Sequence, residues 1–269
     1  VGMGFAERFL ADKFNRPHHK IVDHHVYAIC SDGDLMEGIS YEAGSLAGTN
    51  GMGKLVYFYD DNHITIDGTT EISFTEDRAK RFDAQGWHVQ HVADANDLDA
   101  FRKTIANAQA EVERPSVIIV RSHIAFGAPH AVDTAKAHGA PLGEEEVAAT
   151  KRVLGWDPDK HFYVPDEVYE HMSQVERGNS FETEWQQRFA NWSQTFPDAR
   201  ETWDAAWAGK IGEWTPPAFK PGEEIATRMA GEQVMQAVKD QMPTLSSGGA
   251  DLVQSAYTEF GGGGHRAWL

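Results

Sequence analysis

Two residues of this chain pair hard-oxygen chemistry with a spacing that can bring them together. Asp32 follows the apolar run 26–30, and Asn62 follows the apolar run 55–59, 30 positions further on. Each run has the length of a buried strand, and the Gly-, Ala- and Ser-rich segment between them has that of a helix. A strand–helix–strand unit of this kind brings residues just past both strand ends to one crevice. A carboxylate, a carboxamide and a nearby main-chain carbonyl suit Mg²⁺ or Ca²⁺, and two or three protein ligands leave sites open for a phosphate. Gly33 removes a side chain where a diphosphate would approach, and a helix starting near Leu35 would offer free N–H groups. Taken alone, Asp-Gly at a strand end serves equally well as a turn and a helix N-cap.

The elements that must position these residues can be read in order. Residues 2–14 carry Met3, Phe5, Phe9, Leu10 and Phe14 at helical spacing, and Arg16-Pro17 ends that stretch. The histidines at 18, 19, 24 and 25 lack a repeated ligand spacing and read as a solvated turn. After the turn Ile66-Asp67-Gly68 come a helix near 76–85 and an alternating strand over 87–92. Asp97 can N-cap a helix bearing Leu98, Phe101, Ile105 and Ala108, and Pro115 precedes the apolar strand 117–120. Three continuously apolar strands alternating with helices predict an α/β fold: a doubly wound parallel sheet with helices on both faces.

Beyond Ile124 a long glycine-containing loop reaches Gly143, and loops of this length in compact domains carry function or disorder. Helices are expected over 144–154 and 166–175, and around the run Trp185, Phe189 and Trp192. Pro216, Pro217 and Pro221 mark a linker, followed by a helix over 225–238 and a strand over 245–251 that runs into a loop.

Bulk properties narrow the function. The formal charge of −17 argues against nucleic acid and anionic membrane as partners. No apolar run approaches a membrane span. The one cysteine, Cys30, lies in a core strand, so no disulfide framework exists and a reducing, cytoplasmic home is expected.

The segment SDGDLMEGISYEAGSLAGT, with YDDNHITIDG about thirty residues on, resembles the thiamine-diphosphate signature of transketolases. IAFGAP, AHGAPLGEEEVAATKRVLGW, IATRMAGEQVMQAV and SSGGADLVQSAYT resemble further family segments, in family order, over roughly residues 1–260. The resemblance implies transfer of a two-carbon ketol unit from a ketose phosphate to an aldose phosphate. It also implies thiamine diphosphate and Mg²⁺ or Ca²⁺ as cofactors, sugar phosphates as substrates, and a homodimer with active sites at the subunit interface. Asp32 and Asn62 match the side-chain ligands of the cation, and Ile64 matches the residue that adds its main-chain carbonyl. Ser31 and Gly33 fall in the diphosphate turn, while Ile66 and Ile124 match apolar contacts to the cofactor. His138 matches a histidine that contacts both the diphosphate and the substrate's terminal hydroxyl. Glu37 and Glu42 match acidic residues near the interface that link the two active sites. Arg228 and Ser255 match donors to the substrate phosphate, and Asp251 a carboxylate near the thiazolium ring.

By the same resemblance, residues 1–190 form a diphosphate-binding domain lacking its N-terminal part. Residues 191–221 form a helical linker, and 222–269 the beginning of a truncated, pyrimidine-binding second α/β domain. The glutamate that activates the cofactor and an N-terminal histidine segment fall outside the chain, so the 269 residues alone are expected to be inactive. Ser31 replaces the family's common glycine, His123 stands where a small or differently charged residue is expected, and the tail 261–269 departs from the pattern. Alternatives remain. A deoxyxylulose-phosphate synthase or a 2-oxo-acid decarboxylase subunit lacks the HGAPLGEEEVAATKRVLGW segment. A non-catalytic or split cofactor-binding subunit would need a separately encoded partner. An α/β domain with some other metal site is the bland alternative to all of these.

Overall fold

The structure, a computed structural model, describes residues 1–209, 211–249 and 251–259. The chain divides into two compact units, one holding Val1–Arg8 and His24–Gln174, the other Phe9–Asp23 and the described residues from Val175 onward. Helix α1 (Gly2–Phe14) contributes its first residues to one unit and its remainder to the other.

The first unit continues through β1 (Val26–Ser31), α2 (Asp32–Met36), α3 (Gly38–Thr49) and β2 (Leu55–Asp61). A small hairpin, β3 (Ile64–Thr65) and β4 (Gly68–Thr69), follows. Then come α4 (Arg78–Ala84), β5 (His88–Val92), α5 (Leu98–Ala110), β6 (Ser116–Arg121), α6 (Glu144–Val153) and α7 (Asp166–Met172). β1, β2, β6 and β5 lie in that order in one fully parallel sheet. Successive side chains alternate between its faces. Tyr57, Tyr59, Val117 and Ile119 pack with Leu35, Ala47, Phe82 and Trp87 on one side, whereas Val56, Phe58, Ile118 and Val120 pack with α5 on the other.

The hand of the crossovers explains this division. From β1 to β2 and from β2 to β5 the chain steps across the sheet in one direction, and from β5 to β6 it steps back. Right-handed connections that reverse their step must change faces. Hence α3 and α4 cover one side and α5 the other. Asp97 caps α5 as expected, accepting from the backbone N–H groups of Asp99 (3.1 Å) and Ala100 (2.9 Å).

Two expectations need correction here. β1 is not buried along its length: Tyr27 is 47% and Ile29 82% exposed. β1 is an edge strand, and α5 reaches it through Gln109, whose amide donates to the Tyr27 hydroxyl (2.7 Å). The helix after Asp32 is also not continuous. It breaks at Glu37, whose extended backbone separates α2 from α3.

Gly44, Ala47 and Gly48 of α3 face their own chain. The Trp87 indole donates to the Gly44 carbonyl (2.8 Å), and a Cβ placed on Gly48 would lie 1.7 Å from the Gln85 carbonyl oxygen. Cys30 is buried, and its thiol is pushed up to about 12, first by burial and then by the Asp34 charge. That keeps it protonated and unreactive near neutrality.

The second unit is helical where it is described, with α8 (Val175–Thr195), α9 (Pro197–Trp207), α10 (Thr227–Val238) and α11 (Val253–Ala256). Its core gathers Phe14, Ile21, Val22 and Trp192. The indoles of Trp185 and Trp192 donate to the carbonyls of Ile21 and Phe14, each at 2.9 Å. The strand expected over 245–251 is not formed over 245–249. No strand among the described residues of this unit offers a partner, and Ser- and Gly-rich chain has little strand preference of its own. The tail 261–269 lies outside the described residues.

The Gly48 contact is with backbone, which cannot rotate away. Gly48→Ala is therefore expected to lower stability by about 1–3 kcal/mol despite alanine's better helix propensity. Thermal unfolding checks this, and an unchanged midpoint would contradict it.

Candidate functional site

Strand pairing brings the two leading residues together. Ser31 is aligned with Asp60 across β1 and β2, so Asp32 and Asn62 leave the same end of neighbouring strands. Asp32 opens α2 and is 1% exposed. Its Oδ1 accepts the hydroxyl of Tyr59, itself fully buried. Its Oδ2 is buried and has no hydrogen-bond partner. Burial pushes the Asp32 carboxyl above the ordinary carboxylate range, opposed by the Tyr59 hydrogen bond and reinforced by the nearby charge of Asp61. Burial and the bond to Asp32 likewise hold the Tyr59 phenol protonated. A buried carboxylate oxygen left bare is costly, and a proton or a bound cation would remove that cost.

Asn62 is held by its neighbours. Its Oδ1 accepts from the Ile64 N–H (2.9 Å) and its Nδ2 donates to Asp60 Oδ2 (3.0 Å). Asp60 in turn accepts the Ser122 hydroxyl from the segment after β6. These bonds fix which way the carboxamide points and leave its oxygen a second lone pair. Between the two positions His63 adopts a left-handed backbone (φ 64°), and its carbonyl accepts from Thr70 N–H (3.0 Å).

The neighbouring acid is already matched. Asp61 Oδ1 accepts from Arg78 Nη2 (2.9 Å) and lies 3.1 Å from the Tyr59 hydroxyl and 3.3 Å from His63 Nε2. Among the described residues no three His, Cys, Asp or Glu gather as a metal-holding group. A cation at Asp32 would therefore complete its shell with amide, main-chain and phosphate oxygens.

Around this pair, Ser31 is bound locally. Its N–H and hydroxyl both donate to Asp34 Oδ2, at 2.8 and 3.0 Å. Gly33 is exposed in α2, and a Cβ there would meet nothing within 4 Å. Packing does not require glycine at this position, and the space beside it is open. Ile64 is buried in β3, whereas Ile66 at the hairpin turn is 71% exposed.

The loop from 122 to 143 leaves the same carboxyl end of the sheet and carries Ile124, half-buried, and His138, exposed just after a short 3₁₀ turn. His123 pairs with Asp133 across the loop (Nδ1 to Oδ2, 2.8 Å). Glu146 of α6 accepts both the His130 N–H and its ring Nδ1, each at 2.7 Å. Those bonds hold the Glu146 carboxyl below its ordinary range. Glu37, at the break between α2 and α3, and Glu42, on α3, are both exposed.

The remaining candidates belong to the second unit. Arg228 starts α10 with its guanidinium 5.7 Å from the Tyr257 ring centre. Ser255 lies in α11, and Asp251 is exposed just before that helix.

Reading the sequence for motifs missed Tyr59, Asp61 and Arg78. The signal was parity. Tyr59 and Asp61 occupy one face of β2, and the register that aligns Cys30 with Tyr59 points that face at Asp32.

A bare buried carboxylate and an anchored carboxamide at adjacent strand ends, beside open space at a glycine, are residues that a divalent cation would fit. The fold and site thus define a parallel α/β domain with a candidate cation site at its strand ends. The profile of the transketolase thiamine diphosphate-binding domain matches residues 1–212. The transketolase of Nostoc sp. is 43% identical over 270 residues, covering 98% of this chain and 40% of that protein. Transketolase 2 of Escherichia coli is 43% identical over 266 residues, covering 96% and 40%. Among solved structures, transketolase of Pichia stipitis complexed with sedoheptulose 7-phosphate superposes with a TM-score of 0.89 at 34% identity, covering 97% of this chain and 39% of that one. Transketolase from Leishmania mexicana superposes at 0.86 with 37% identity, covering 96% and 39%. The chain belongs to the transketolase family, and it spans about two fifths of the length of these relatives.

Because the Glu146 carboxyl is lowered, its hold on His130 is complete at neutral pH and is lost only as pH falls through that lowered value. Glu146→Gln is expected to speed amide exchange at His130 without changing exchange in the central strands. Unaltered protection at His130 would contradict this.

Proposed function

We propose that the polypeptide carrying this chain is a transketolase, which moves a two-carbon ketol unit from a ketose phosphate to an aldose phosphate. The observation that carries the reading is the bare, buried Oδ2 of Asp32 beside the anchored Asn62. Sugar phosphates as substrates are supported by the relatives' names and by the sedoheptulose 7-phosphate bound to the Pichia stipitis enzyme.

Bound thiamine diphosphate supplies carbanion chemistry at its thiazolium carbon, which two-carbon transfer requires. In this reading Asp32, Asn62 and the Ile64 carbonyl hold Mg²⁺ or Ca²⁺, and the cation holds the diphosphate. Gly33 leaves the approach clear. Ser31 acts through shape and through α2, since its donors are committed to Asp34. Ile66 and Ile124 offer apolar surface to the cofactor. His138 donates to the diphosphate and to the substrate's terminal hydroxyl. Arg228 and Ser255 bind the substrate phosphate, for which a guanidinium suits charge-assisted pairing. Asp251 stands near the thiazolium ring. Residues 1–190 serve the diphosphate end, 191–221 link, and 222–269 open the pyrimidine-binding domain.

A homodimer with Glu37 and Glu42 near its interface is supported by apolar side chains left exposed on and beside α2 and α3. Met36, Ile39, Tyr41, Leu46 and Ile72 are among them. The tight packing at Gly44 and Gly48 of α3 gives no such support, since those residues contact their own chain. A cytoplasmic location is supported by the single buried cysteine. No helix of the described residues is long and apolar enough to cross a membrane.

The polypeptide as its gene encodes it, supplied with xylulose 5-phosphate and ribose 5-phosphate, is expected to form a seven-carbon ketose phosphate. That formation should stop when thiamine diphosphate or divalent cation is withheld. No turnover under these conditions would overturn the reading. Gly33→Ala is expected to keep stability within about 1 kcal/mol of the parent while weakening thiamine diphosphate binding at least tenfold. Unchanged cofactor affinity would remove Gly33 from the diphosphate site.

A further inference from the structure

Tyr59 is a buried group that the proposed chemistry does not use, and its hydroxyl decides which Asp32 oxygen is available. The phenol enters the site from β2 on the face shared with Asp61, is fully buried, and donates to Asp32 Oδ1. Asp61, 3.1 Å from the same hydroxyl, is tied to Arg78 at 2.9 Å. The Arg78 guanidinium also lies 5.8 Å from the Tyr59 ring centre and donates to the Glu76 carbonyl at 2.8 Å. The phenol is thus held by packing on one side and by an anchored acid on the other. Rotating it away would leave Asp32 Oδ1 without a partner in a dry setting.

We infer that Tyr59 is a positioning residue that makes Asp32 a one-oxygen ligand and thereby biases the cation site toward Mg²⁺ over Ca²⁺. The inference rests on the reading of Asp32 as a cation ligand. Mg²⁺ demands near-octahedral geometry and is bound through few carboxylate oxygens, whereas Ca²⁺ takes more oxygens and readily accepts a carboxylate through both. With Oδ1 committed to Tyr59, only Oδ2 would be left to bind a cation. Without the hydroxyl, Asp32 is free to turn and offer both oxygens. Groups that orient a metal ligand from behind in this way typically account for 10–100-fold in affinity.

The test measures Mg²⁺ and Ca²⁺ affinities by titration calorimetry at saturating thiamine diphosphate, on the full polypeptide its gene encodes. Tyr59→Phe is expected to weaken Mg²⁺ about tenfold or more and to weaken Ca²⁺ less, so that the preference shifts toward Ca²⁺. Equal weakening of both ions would indicate a merely structural role and overturn the inference, as would unchanged affinities. Tyr59→Met, which also lacks a donor, answers the question if the phenylalanine variant does not fold. Asp32→Ala separates the two readings. Loss of both ions with an unshifted Tyr59→Phe preference overturns the inference alone. Retained cation binding in Asp32→Ala, or none in the parent, overturns the reading beneath it.

Discussion

The availability of Asp32 at the candidate site depends on one hydrogen bond, from the Tyr59 hydroxyl to Asp32 Oδ1. A carboxylate almost wholly removed from water is an expensive group, and burial alone pushes it toward its neutral form. One donor offsets part of that cost and fixes the orientation of the carboxyl. The other oxygen is left bare. A fold that stabilised Asp32 fully by itself would have no use for a cation there. This fold stabilises half of it.

That half-satisfied carboxylate follows from the parallel sheet. Register between β1 and β2 aligns Cys30 with Tyr59, so the next residues on the same face, Asp32 and Asp61, emerge together at the strand ends. Two acids side by side would repel, and the structure separates their roles. Asp61 is neutralised by Arg78, while Asp60 is occupied by Asn62 and Ser122. Among the described carboxylates, Asp32 alone keeps a buried oxygen without a hydrogen-bond partner. The loop after β6 leaves the same carboxyl end of the sheet and is tied down by His123–Asp133 and by Glu146, which places its backbone without engaging the bare Asp32 oxygen.

Much of this was legible in the sequence because it is written in periods. The apolar runs at 26–30 and 55–59 and the Asp97 cap each specify an element locally, and the structure forms them. The exposure of Ile29 was not legible, because an edge strand and a central strand carry the same apolar run and only the sheet order separates them. Nor was the break at Glu37, where chain suited to one long helix bends to place Asp32 in a short first turn. Tyr59 escaped because an aromatic residue within an apolar run reads as packing. Its hydroxyl becomes chemistry only once the neighbouring strand is in register. The strand expected after Leu245 failed for the converse reason, since a strand needs a partner that no local pattern can supply.

The most direct measurement of the central claim is a crystal structure of the full polypeptide grown with Mg²⁺ and thiamine diphosphate. The account predicts a cation joined to Asp32 through Oδ2 alone and to the Asn62 carboxamide, with the Tyr59 hydroxyl still on Oδ1. A cation bound elsewhere, or one held by both Asp32 oxygens with Tyr59 displaced, would contradict it.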